Sequence, residues 1–146
     1  MTIRSAQAEW QGSLKGGSGR LKLGSGIFEA AYSFPSRFEN GPGTNPEELI
    51  AAAHAACFSM ALTAILEKAG FPAPHVRTLA KIHLGLTPAG PTLTRIELAT
   101  EGEIEGITAA DFASHAETAK RTCLVSRALA AVPDIRLQAT LRAATA

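Results

Sequence analysis

The sequence predicts an α+β fold, and three observations carry that prediction. Strand-like alternation of apolar and polar residues occupies the first third of the chain and recurs in its middle and at its end. Between these runs lie one long, nearly chargeless segment and one amphipathic segment, both with helix-start signals. The resulting order, β, α, β, α, β, groups strands together, which argues against a doubly wound parallel sheet and for antiparallel sheets beside helices. At 146 residues the chain suits one domain, residues 1–146. A chain of that size buries about two thirds of its unfolded surface. No internal repeat or low-complexity linker divides it.

The first strand is expected where Ala6, Ala8 and Trp10 share one face; GGSG (Gly16 to Gly19) and GSG (Gly24 to Gly26) then punctuate a second strand, and Ile27 to Tyr32 forms a third. A meander follows. From Ser33 to Thr44 the stretch SFPSRFENGPGT reads as an irregular loop carrying Arg37. The long helix is expected over Pro46 to Ala69. Asn45 caps it, Pro46 suits its first position, Glu48 has capping-box spacing, and Gly70 stops it before Pro72 and Pro74. Val76 to Leu86 and Thr92 to Ile104 read as a hairpin around TPAGP. Thr108 with Asp111 caps a second helix through about Cys123, Ser126 is expected to cap a short third one, and Ile135, Leu137, Ala139 and Leu141 alternate as a closing strand.

Charge excludes some functions. A net charge of +1, 18% charged residues and no run of five like charges provide no field for nucleic acid or an anionic membrane. Leu49 to Leu66 is 18 residues without a formal charge, long enough to consider as a membrane span. Its many alanines, interrupted by His54, Ser59 and Thr63, fit the buried central helix of a soluble protein instead. The start MTIRSAQAEWQG lacks the apolar stretch and cleavage site of a signal peptide, so a cytoplasmic location is expected. Two cysteines there are expected as thiols, not as a structural staple.

Cys57 sits inside the long helix, on a stripe with Ile50, Ala53, Ala61 and Ala64, all within about 40° of its direction. Burial among alkyl groups raises a thiol pKa, so by itself this stripe describes an inert core cysteine. Charge for a reactive thiol has to come from elsewhere. Cys123 lies near the end of the next helix, where two helices packed on one sheet can bring the pair together. His54, one turn before Cys57, reads as bonded to a backbone carbonyl or to water. His75, His83 and His115 show no ligand spacing, so neither metal nor cofactor is expected. The glycine clusters lack the helix and Lys-Ser/Thr of a phosphate cradle and read as turns.

The string GTNPEELIAAAHAACFSMAL (Gly43 to Leu62), the loop SRFEN around Arg37 and AKRTCLVSRAL (Ala119 to Leu129) resemble the OsmC/Ohr family of thiol peroxidases, closest to its osmotically inducible OsmC branch. The likeness extends over essentially the whole chain. Members commonly have proline directly after the second cysteine, where this chain has Leu124. The resemblance implies an OsmC-like fold, with sheets around a long buried central helix in an intertwined homodimer. It implies that Cys57 attacks a peroxide as a thiolate and becomes a sulfenic acid, and that Cys123 resolves it as a disulfide. It implies Arg37 as the cation at the thiolate, Glu47 as its partner acid, a role in oxidative or osmotic stress defence, and a dithiol reductant such as a lipoylated protein. Organic hydroperoxides are the expected substrates, hydrogen peroxide a weaker one, since alkyl side chains beside the thiol suit an organic group.

Helix geometry adds a constraint of its own. Glu47 lies about 15 Å along a straight helix from Cys57 and roughly 80° around it, so it cannot touch that thiol directly. It acts either by orienting Arg37 or from a partner chain. Glu48 points about 180° away and serves the helix start. A second class of function uses the same residues: a non-enzymatic redox sensor, which differs from a peroxidase by lacking turnover.

Overall fold

A computed structural model of the chain describes residues 1–72 and 74–143; the last residues of the expected domain, 144–146, lie outside the described residues. Contacts divide the chain into two compact units, Met1–Leu49 and Ile50–Ala146.

In the first unit, β1 (Ala6–Gln11), β2 (Ser18–Leu23) and β3 (Glu29–Tyr32) form the expected antiparallel meander, in the order β1-β2-β3. The Trp10 and Tyr32 rings meet at 5.5 Å, and Arg20 pairs across the strands with Glu29 at 3.3 Å. The segment expected as an irregular loop contains a short helix, α1 (Phe34–Phe38). Ser33 and Ser36 cap it reciprocally: the Ser33 N–H donates to Ser36 Oγ at 2.8 Å and the Ser36 N–H to Ser33 Oγ at 3.2 Å. Proline and serine serve helix starts as well as turns, which is why composition alone concealed this one. The Ser36 hydroxyl, buried, donates to the Thr44 carbonyl at 2.7 Å, and Asn45 Nδ2 donates to the Ser36 carbonyl at 3.0 Å. These bonds fasten α1 to the start of the next helix.

That helix, α2, runs Pro46–Lys68, one residue shorter than expected. Asn45 Oδ1 caps it by accepting the Glu48 N–H at 2.7 Å. Glu48 does not close the box on Asn45; its carboxylate accepts the Thr44 hydroxyl at 2.7 Å. Gly70, at φ +100°, ends the helix in a conformation that side chains resist, with the Phe71 N–H reaching back to the Leu66 carbonyl at 3.0 Å. By length and composition α2 is apolar enough to cross a membrane. Its Phe58, Leu62 and Leu66 belong instead to the core of the second unit.

The second unit adds β4 (His75–Thr87), β5 (Gly90–Glu103), α3 (Ala109–Thr122), α4 (Leu124–Ala128) and β6 (Ile135–Arg142). The hairpin β4-β5 is as expected, with Thr87 opposite Gly90 across the turn. β6 corrects the expectation of antiparallel sheets, because it pairs with β5 in parallel, in the order β4-β5-β6. The path from β5 to β6 passes through α3 and α4, and a helical crossover of that length returns the chain in the direction it left. One face of β5 (Ile96, Leu98, Thr100, Gly102), continued by Ile104 just past its end, is buried residue by residue. Its hydrophobic members join Phe112, Ala116 and Ala119 of α3 and Phe58, Leu62 and Leu66 of α2 in one core. A hydroxyl chain threads the same region, from Ser59 to Thr78 at 2.8 Å and on to Thr100 at 3.0 Å. α2 is buried on one face only: Ala52, Ala53, Ala56, Met60 and Ala64 are exposed, Met60 at 74%.

Candidate active site

The residues that face the core from α2 are His54, Phe58, Leu62 and Leu66, at helical spacing. Cys57 lies beside this stripe and is half-buried. The stripe drawn from sequence is therefore corrected: Ala53 and Ala64 are exposed, and Ile50 and Ala61 are only partly covered. The thiol stands at the border of the core, not within it.

Cys123 comes to it from 66 residues away. It is the last cap of α3 and the first residue of the turn into α4, 1% exposed. Its sulfur lies 3.0 Å from the Cys57 sulfur, both cysteines being free thiols. Disulfide formation needs the two sulfurs to close by about 1 Å. Ser126 is not the helix cap that the sequence suggested. It lies inside α4, and its Oγ is 2.7 Å from His54 Nε2. His54 is fully buried, and the partner of its Nε2 is this side chain. The missed signal was in the spacing: His54 precedes one cysteine by three residues and Ser126 follows the other by three.

The two thiols are unequal. Burial and the Cys123 sulfur push the Cys57 pKa up, against smaller help from the Val125 and Leu124 N–H groups. Burial also opposes a Cys123 thiolate, yet the Cys57 thiol, the Ser126 N–H and hydroxyl, and the Val125 N–H outweigh it and hold that pKa down. Because the sulfurs touch, they titrate as a pair, and the second unit by itself favours the charge on Cys123.

Arg37 and Glu47 are brought together in the first unit. Arg37 Nη2 meets Glu47 Oε1 at 2.8 Å, and Nε lies 3.2 Å from both carboxylate oxygens. Glu47 is buried while the Arg37 side chain is 40% exposed, so the acid holds the cation without enclosing it. Among the described residues no group of three His, Cys, Asp or Glu side chains could hold a metal ion.

Residues 39–138 match the family described as OsmC-like protein. The chain belongs to the OsmC-like protein family. It is 45% identical over 133 residues to Peroxiredoxin OsmC of Escherichia coli strain K12, spanning 90% of this chain and 93% of that one. Solved structures agree on the OsmC-like fold. An organic hydroperoxide resistance protein from Elizabethkingia anophelis superposes with a TM-score of 0.71 at 24% identity, covering 97% of this chain and 98% of that one. The organic hydroperoxide resistance protein OsmC from Legionella pneumophila gives 0.68 at 21% identity, with the same coverage. At those identities the structures speak for the fold alone.

Proposed function

We propose that this OsmC-like chain reduces organic hydroperoxides, and hydrogen peroxide more weakly, through Cys57 and Cys123. That it is a peroxidase rests on its 45% identity to Peroxiredoxin OsmC over nearly its full length. The route rests on one observation above all, the 3.0 Å contact between two free sulfurs drawn from distant segments. In the first step the Cys57 thiolate attacks the outer peroxide oxygen; the O–O bond breaks, the alkoxide leaves and takes a proton to become an alcohol, and Cys57 is left as a sulfenic acid. Cys123 then forms the disulfide, and a dithiol reductant, such as a lipoylated protein, reopens it.

The Cys57 thiolate needs a cation that the second unit does not supply, since its pKa is pushed up where it stands. Arg37, held by Glu47, is that cation in our reading. Helix rise separates Glu47 from the Cys57 of its own chain, so the pair serves the Cys57 of a partner chain in a homodimer. The exposed Ala52, Ala53, Ala56, Met60 and Ala64 face of α2 supports such a dimer, in which the helix becomes buried on both sides. Residues 1–146 act as one OsmC-like domain, because the family match crosses the boundary between the units. We place the protein in the cytoplasm, where dithiols are kept reduced, as part of peroxide stress defence.

The test is a thiol titration with intact mass on the reduced protein, before and after one equivalent of cumene hydroperoxide. Loss of both thiols, a mass lower by two hydrogens and restoration by dithiothreitol are expected, with repeated turnover when the dithiol is in excess. Two surviving thiols would overturn the proposal, and oxidation without turnover would make the pair a sensor.

A further inference from the structure

Arg37 does not stand alone on α1. Phe34, Arg37 and Phe38 follow the spacing i, i+3, i+4, which puts all three on one face of a single helical turn. Arg37 Cζ stands 5.2 Å from the centre of the Phe38 ring, and the Phe38 and Phe34 rings meet at 4.8 Å, tilted by 46°. Such distances belong to a cation against an aromatic ring and to a packed aromatic pair. Neither ring is part of the buried core, and Phe38 stays 41% exposed although it touches both neighbours.

The helix carries the cation and the rings as one piece. Ser33 and Ser36 close its start, the Gly41 N–H returns to the Pro35 carbonyl at 3.1 Å, and Ser36 and Asn45 tie it to the segment that bears Glu47. Glu47 then holds the guanidinium itself. Whatever thiolate Arg37 reaches, the two rings arrive beside it in a set order: cation, Phe38, Phe34.

The chemistry of a hydroperoxide gives that order a use. When a thiolate attacks the outer oxygen, negative charge develops on the inner one, and a cation already at the thiolate is placed to stabilise it. The organic group is bonded to that inner oxygen, so an apolar surface beside the guanidinium is what it meets. Hydrogen peroxide has no such group. We propose that Phe38, extended by Phe34, is the apolar wall that holds the organic group of the hydroperoxide, and that this wall sets the preference for organic hydroperoxides over hydrogen peroxide. The inference rests on the proposed role of Arg37 at the thiolate. The rings move no proton or electron pair; the bonds made and broken are those of the first step above.

The test is steady-state kcat/KM, with dithiothreitol in excess, for cumene hydroperoxide, tert-butyl hydroperoxide and hydrogen peroxide. In Phe38→Ala the ratio of cumene hydroperoxide to hydrogen peroxide is expected to fall about tenfold, the loss of one aromatic contact. Phe38→Leu, which stays apolar, keeps most of that ratio. Phe34→Ala is expected to lower the ratio of cumene to tert-butyl hydroperoxide, because only the larger group reaches the second ring. Equal slowing with all three peroxides in Phe38→Ala would make the ring a prop for Arg37 and overturn the wall, as would a ratio that does not change. Loss of the ratio in Phe38→Leu as complete as in Phe38→Ala would overturn it too, and an unchanged ratio in Phe34→Ala would remove Phe34 from it. An unaltered chain that consumes none of the three peroxides, or uses all three equally, would instead overturn the proposed function on which the wall rests.

Discussion

Burial and the Cys123 sulfur push the Cys57 pKa up, and the proposed mechanism assigns Arg37 to bring it down. Arg37→Ala is expected to raise the Cys57 pKa further and to slow its oxidation by cumene hydroperoxide by at least about tenfold, one unit of pKa, measured by stopped-flow and by the pH dependence of iodoacetamide alkylation. An unchanged rate would remove Arg37 from the site. His54 carries a prediction of the opposite sign in pH. Its folded pKa is lowered below 6.5 by burial, so the unfolded chain binds the extra proton first as pH falls. Its contribution to stability is complete above pH 6.5 and is lost as pH falls below it. Urea unfolding at a series of pH values should show this slope in the unaltered chain and lose it in His54→Leu. The family resemblance singled out Arg37, Glu47, Cys57 and Cys123; the structure pairs Arg37 with Glu47 and Cys57 with Cys123, and their catalytic roles belong to the proposal above. The His54–Ser126 bond was not legible in the sequence, because its two ends are 72 residues apart and neither belongs to a recognisable local pattern.

Among the elements, α2 is the best specified by local chemistry. Its start is the Asn45 cap, and Asn45→Ala is expected to destabilise the chain by about 1 kcal/mol in urea unfolding, as loss of a helix cap does. Gly102 is specified by packing instead. A Cβ there would come within 2.5 Å of the Phe112 ring, which is fully buried between β5 and α3. Gly102→Ala is therefore expected to cost about 1–3 kcal/mol, from forced displacement of the ring. The same chemotype, a glycine in a strand, carries no such warning in the sequence. α1 escaped sequence reading for a related reason: a five-residue helix has too few positions to show a period, and only the two serine bonds reveal it.

For the whole molecule, the exposed face of α2 is the strongest clue to assembly. If the proposed dimer forms through this face, a charge placed in its centre, Met60→Glu, is expected to convert it to monomer in analytical ultracentrifugation while leaving each chain folded, because Met60 is 74% exposed and takes no part in the core. If Arg37 and Glu47 serve the partner chain, that monomer also loses peroxidase activity. A monomer with full activity would show the pair acting within its own chain.

What the sequence by itself determined was local: strand alternation, the capped and glycine-terminated α2, the hairpin turn, and a cysteine motif specific enough to carry the family. These are encoded within a few residues of each other, where hydrogen bonds and side-chain period act directly. Tertiary structure decided the rest. The parallel pairing of β6, the 3.0 Å approach of Cys123 to Cys57 and the bond from His54 to Ser126 all depend on how α3 and α4 fold back over the sheet and onto α2. So does the unequal acidity of the thiols, which is set by the groups brought around each sulfur from α2 and from the α3–α4 junction.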